Sequence, residues 1–152
     1  MAMGNQIKKR VRAAAVVVQN KALLLVLHYK EADQYYLLPG GGVKKGETEK
    51  AALVREMREE TGLSAEPQNL LFETRSIRPD GLRHIIQRVY YCRVSGSIKP
   101  SQDPRVVRAE FVTRERFQTV RFFPNIKSAL LTAWDKGFEQ SSFLSLDVPW
   151  ED

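Results

Sequence analysis

The chain reads as an α/β protein in which a mixed β-sheet carries helices on both faces. Three observations predict this class. Two short apolar runs rich in Val, Leu and Ala come first, a long segment of Ala, Leu, Glu, Lys and Arg closed by a glycine follows, and two further extended segments then lead to a second helical pattern near the end. The 152 residues suit one domain, residues 1–152, since a second would leave each half too little core to offset chain entropy. With 43% apolar and 28% charged residues, the composition excludes the disordered and collagen-like classes.

Residues 1–9 read as a flexible basic arm, continuing into the charge cluster Lys8, Lys9, Arg10 and Arg12. Residues 11–18 and 22–28 are two strands separated by Gln19-Asn20-Lys21, the length and chemistry of a tight hairpin turn. A polar stretch leads to an extended segment at 35–38 and then to Pro39-Gly40-Gly41-Gly42, where three glycines permit backbone shapes closed to other residues. Residues 47–61 form the clearest helix, with Gly62 placed to end it. Segments 69–77 and 83–94 are strands joined by a turn at Pro79-Asp80-Gly81. After a loop at 96–104 comes a short strand at 109–112. Thr113 caps a short helical turn, and Pro124 opens a last helix running to about Lys136, with Gly137 beyond it.

The longest apolar stretch, 13–27, is interrupted by Gln19, Asn20 and Lys21 and falls short of the roughly 20 apolar residues that cross a bilayer. No membrane segment is expected. No small-residue cleavage site follows the basic start, so a cytoplasmic location is expected. Cys92 is the only cysteine, which excludes an internal disulfide and a multi-cysteine zinc site and fits a reduced core residue. The net charge of +6 favours anionic partners such as phosphates or nucleic acid, although it also serves solubility.

At 100° per residue, Glu56, Glu59 and Glu60 share an arc of about 100° on the helix, because positions i, i+3 and i+4 lie on one face. Such like charges cost a few tenths of a kcal/mol per pair. A divalent cation that prefers carboxylate and carbonyl oxygens, Mg2+ or Mn2+, would offset that cost, with the carbonyls of the glycine turn close by.

Gly41, Glu47, Arg55, Glu56, Met57, Glu59, Glu60, Gly62 and Leu63 fill every fixed position of the pattern G-x5-E-x7-R-E-U-x-E-E-x-G-U, where U is a bulky apolar residue. This window resembles the Nudix box of the Nudix hydrolases. The resemblance implies an α/β/α sandwich and hydrolysis of a nucleoside diphosphate linked to another moiety. It implies Gly41, Glu56, Glu59 and Glu60 as ligands of Mg2+ or Mn2+, Glu59 also acting in catalysis, Glu47 as a helper, and Arg55 orienting Glu56. An acidic residue near Glu110 supplies a further ligand or a general base in many relatives, with Asp103 a lesser candidate. Related enzymes often place phosphate or base contacts where His28, Tyr29 and Lys30 stand; His84 is a weaker candidate.

Pro79 lies sixteen positions after Leu63, a placement associated in this family with ADP-ribose pyrophosphatases, though Pro79-Asp80-Gly81 is also an ordinary turn. The expected partner is therefore a small nucleotide, ADP-ribose or a nucleoside diphosphate sugar. Nucleoside triphosphates, oxidised ones included, and the 5′ end of RNA are the alternatives, and a non-catalytic nucleotide- or RNA-binding domain is a third. Homodimers are common in the family, but no stretch of this chain marks an interface. Trp134 and Phe138 read as core.

Overall fold

The computed structural model describes residues 6–151; residues 1–5 and Asp152, and with them much of the expected arm, lie outside the described residues. The elements run β1 (Lys8–Val16), β2 (Val18–Gln19), β3 (Ala22–Lys30), β4 (Asp33–Leu37), β5 (Gly40–Gly42), α1 (Glu49–Thr61), β6 (Ser64–Ile77), β7 (Arg83–Ser95), β8 (Val106–Thr113), α2 (Arg114–Phe117), α3 (Lys127–Lys136) and β9 (Leu144–Asp147), with a 3-10 turn at Phe138–Gln140 before β9. They form two sheets. The first is mixed and ordered β5-β1-β7-β6-β9, with β1 parallel to β7 and β6 parallel to β9. In the second, β3 pairs antiparallel with β2, β4 and β8.

Buried residues of β1 and β3, and Val17 between β1 and β2, alternate between two cores. Ala13, Ala15, Val17 and Leu24 pack with Leu53 and Met57 of α1, whereas Ala14, Val16, Leu23, Leu25 and Leu27 pack with Phe117 and with Leu130 of α3. Helices on both sides explain why these strands read as unbroken apolar runs instead of a half-polar alternation. The result is the α/β/α sandwich that the resemblance implied, with the strands divided between one mixed and one antiparallel sheet where a single mixed sheet was expected.

Several boundaries differ from expectation, each for a local reason. The two apolar runs do not form one long hairpin. β1 is engaged by β7 over nine register pairs, and the chain passes at buried Val17 into the other sheet. Only β2 and the start of β3 close around Asn20 and Lys21, both at positive φ (49° and 62°), as a two-residue hairpin turn requires. Lys8 and Lys9 are not part of a flexible arm, because they pair with Arg83 and His84. α1 starts at Glu49, not at residue 47, since the Thr48 hydroxyl accepts from the Ala51 N–H and caps it.

β6 starts five residues before the expected segment because register shifts around Pro67 and Leu70 accommodate the proline. The last helix starts at Lys127, not at Pro124. Backbone bonds from Tyr36 to Arg121 and from Phe123 to Tyr36 hold that stretch extended against β4. The edge strand β9 was not expected. Among the described residues no helix is long and apolar enough to cross a membrane.

Candidate active site

β5 and α1 meet edge to face. Gly40 crosses β1 so closely that a Cβ would stand 2.1 Å from the Ala13 carbonyl oxygen, and a Cβ on Gly41 would stand 2.3 Å from the Glu56 carboxylate carbon. Only glycine lets the turn and that carboxylate share the space. Arg55 is the hub beside them. Its Nε and Nη2 donate to the two oxygens of Glu47 (both 2.9 Å), Nη2 also donates to the Gly42 carbonyl (3.0 Å), and Nη1 donates to Glu56 Oε1 (2.8 Å) while standing 3.7 Å from Glu59. Hydrogen bonds from Arg55 and the Lys44 N–H hold the Glu47 carboxyl down at about 2. Glu47 therefore aligns Arg55, and Arg55 aligns Glu56.

Glu60 is buried; its Oε1 accepts from the Gly40 N–H at 2.7 Å, and His28 Nε2 lies 3.5 Å from Oε2. Burial raises the Glu60 carboxyl above its ordinary range, outweighing the lowering by His28 and Gly40. Among the described residues no three acidic, His or Cys side chains already converge on one point. The donor set nevertheless fits a hard divalent cation. Glu56 and Glu59 each have one oxygen directed at Arg55, which leaves the other for a ligand, Glu60 keeps Oε2, and the Gly41 backbone lies against Glu56.

Above Glu56 and Glu60 lies a cavity of about 280 Å³ lined by both and by three arginines, Arg10, Arg12 and Arg105, whereas Glu59 does not line it. His28, Tyr29 and Lys30 also line it, so these strand-end candidates are brought to the glutamates. Burial, then Arg10, lowers the half-buried Arg12 guanidinium from its usual value against the opposing charges of Glu60 and Glu56. A second cavity of about 580 Å³ shares Arg12, Lys30, Tyr35 and Leu37 with the first and extends past Phe123, Gln87 and Trp150. A cationic neck thus joins a carboxylate cluster to an aromatic-walled chamber.

A model of the NUDIX domain family matches residues 8–132. The chain belongs to the Nudix family. An ADP-ribose pyrophosphatase of Methanocaldococcus jannaschii is 38% identical over 93 residues, which cover 60% of this chain and 54% of that protein. A relative from Caenorhabditis elegans is 31% identical over 105 residues, 65% of this chain and 27% of its own length. The chain thus spans about half of one relative and about a quarter of the other. Among solved structures, a NUDIX hydrolase from Nitrosomonas europaea superposes with a TM-score of 0.75 at 22% identity, covering 86% of this chain and 90% of that one. An ADP-ribose pyrophosphatase from Streptococcus suis superposes at 0.69 and 19% identity, covering 91% and 98%. At these identities the superpositions show the fold.

Not every residue expected in the Nudix site is brought there. Glu110 faces the other side of β8. Its neighbour two places on, Val112, packs in the α3-side core, and Glu110 itself is bound by Arg116, Arg108 and the Tyr36 hydroxyl. Burial would raise its carboxyl, but Arg116, Arg108 and Tyr36 together hold it below the ordinary range. Pro79 is exposed in the β6–β7 turn and lines neither cavity, and His84 serves the same turn through the Gly81 carbonyl. Asp103 is bound by Arg105, which itself lines the smaller cavity. Sequence reasoning missed Arg10, Arg12 and Arg105 as site residues. The first two stood out in the sequence only as part of the basic cluster that starts at Lys8.

Proposed function

We propose that this Nudix domain hydrolyses the pyrophosphate linkage of a nucleoside diphosphate joined to another moiety, with ADP-ribose or a nucleoside diphosphate sugar as substrate and Mg2+ or Mn2+ as cofactor. The observation that carries this reading is the arginine-lined neck between the glutamates and the larger chamber. A diphosphate in the neck puts its phosphorus atoms beside Glu56 and Glu60 and its nucleoside among Tyr35 and Phe123. The similarity to an enzyme named ADP-ribose pyrophosphatase supports the same substrate.

In this reading Glu56, Glu59, Glu60 and the Gly41 carbonyl would hold the cation, which when bound would neutralise phosphate charge and lower the pKa of water. Arg12 and Arg105 hold the diphosphate in line for attack at phosphorus. Glu59, the most exposed of the three carboxylates, accepts the proton of the attacking water. The P–O bond to the bridging oxygen breaks, and ADP-ribose yields AMP and ribose 5-phosphate.

Steady-state kinetics on ADP-ribose, UDP-glucose, the nucleoside triphosphates and triphosphorylated RNA test the substrate class. ADP-ribose is expected to lead by about tenfold in kcat/KM, or roughly 1.4 kcal/mol of barrier. Faster pyrophosphate release from a triphosphate or an RNA 5′ end overturns the reading. Because Arg55 acts through Glu56, Arg55→Ala is expected to lower kcat by about 10–100-fold with a smaller change in KM. A raised KM at unchanged kcat would instead assign Arg55 to substrate.

A further inference from the structure

Gln87 is a buried polar residue that nothing in the reaction above uses. It lies in the middle of β7, 7% exposed, and its Nε2 is enclosed with no hydrogen-bond partner. Such an orphaned buried donor is destabilising and calls for a reason. Its surroundings supply one. Gln87 lies between Arg12 of β1 and Thr74 of β6 as register partner of both, and all three line the 580 Å³ chamber. The row runs from the arginine neck into the chamber. There Tyr35 and Phe123 pack edge to face, ring centroids 5.3 Å apart, and offer the kind of wall on which a planar base stacks.

We infer that Gln87 determines base specificity, its carboxamide reading the edge of a purine, adenine by preference, bound in this chamber. The inference rests on the nucleotide reading above and deepens it. A carboxamide offers one donor and one acceptor side by side, and adenine presents the matching pair at N6 and N7. Nε2 is enclosed in the unliganded chain, so the side chain turns on binding to present both amide atoms to the base. Hypoxanthine replaces the N6 amino group by a carbonyl and offers two acceptors on that edge, which breaks the match. Arg12, next in the row, then meets the 5′-phosphate and directs the rest of the substrate toward Glu56 and Glu60.

The test is calorimetric binding of AMP and of IMP to the full chain, for the wild type and for Gln87→Leu and Gln87→Glu. The wild type is expected to prefer AMP by about tenfold or more, and Gln87→Leu to bring the ratio to near one while binding to ribose 5-phosphate is unchanged. Gln87→Glu, which has no donor, is expected to weaken AMP several-fold. Removal of an unpaired buried amide should leave Tm at or above the wild-type value in Gln87→Leu. Equal affinity of the wild type for AMP and IMP overturns the inference, as does a ratio unchanged by both substitutions. Because binding is read without turnover, an AMP preference lost in Gln87→Leu but unaccompanied by hydrolysis of ADP-ribose would count against the reaction and not against Gln87.

Discussion

Glu56→Gln is expected to lower kcat by about 10²–10³-fold, the magnitude seen when one charge-stabilising group is removed from a preorganised site. The substitution keeps the shape of the side chain and leaves an oxygen to accept from Arg55 Nη1 at the same place. It removes the negative charge that a cation and the diphosphate chemistry require. It also relieves like-charge crowding with Glu59 and Glu60, at i+3 and i+4 on α1, so the fold should be little affected. Thermal unfolding should place Tm within about 4 °C of the wild type. Normal turnover by Glu56→Gln would mean that the glutamate face of α1 is not the reaction centre.

The second large effect is expected from Gly41→Ala, a change of one methyl group. The new Cβ would stand 2.3 Å from Glu56 Cδ and 2.5–2.6 Å from its two oxygens, closer than nonbonded atoms approach. The obstacle is the end of a flexible side chain, so the carboxylate swings away and the fold survives. Activity is expected to fall by about 10–100-fold through loss of the Glu56 orientation that Arg55 otherwise maintains. Gly40→Ala is the informative contrast. Its Cβ would meet the backbone oxygen of Ala13 at 2.1 Å, and its φ of 154° disfavours a side chain, so the β1–β5 pairing itself should suffer and Tm should drop. Comparing kcat and Tm for the two variants separates damage to the site from damage to its scaffold.

Much of the site was readable because it is local in sequence. The box from Gly41 to Leu63 spans one turn and one helix, and helical periodicity alone places Glu56, Glu59 and Glu60 on a face. What depends on distant pairing was not readable. The apolar runs of β1 and β3 could be identified as strands, but periodicity does not say which strand each one pairs with, and the long hairpin was the wrong partnership. Arg10 and Arg12 read from sequence only as part of a basic cluster, because their place beside the glutamates depends on the pairing of β1 with β5 and β7. Glu110 carried the right chemistry on the wrong face, fixed by the register of β8 against β3. Gln87 had no local signal, since its chamber is assembled from β1, β4, β6, β7 and the residues after β9.

The central claim, that the glutamate face of α1 drives hydrolysis of a nucleoside diphosphate linkage through a divalent cation, is tested most directly by product chromatography. ADP-ribose is incubated with the wild-type protein in Mg2+, in Mn2+ and in excess EDTA, with Glu56→Gln run in parallel. The expected result is AMP and ribose 5-phosphate in equal amounts with either cation, and neither product in EDTA or, on the same timescale, from Glu56→Gln. AMP released at the wild-type rate in EDTA, or by Glu56→Gln, would contradict it.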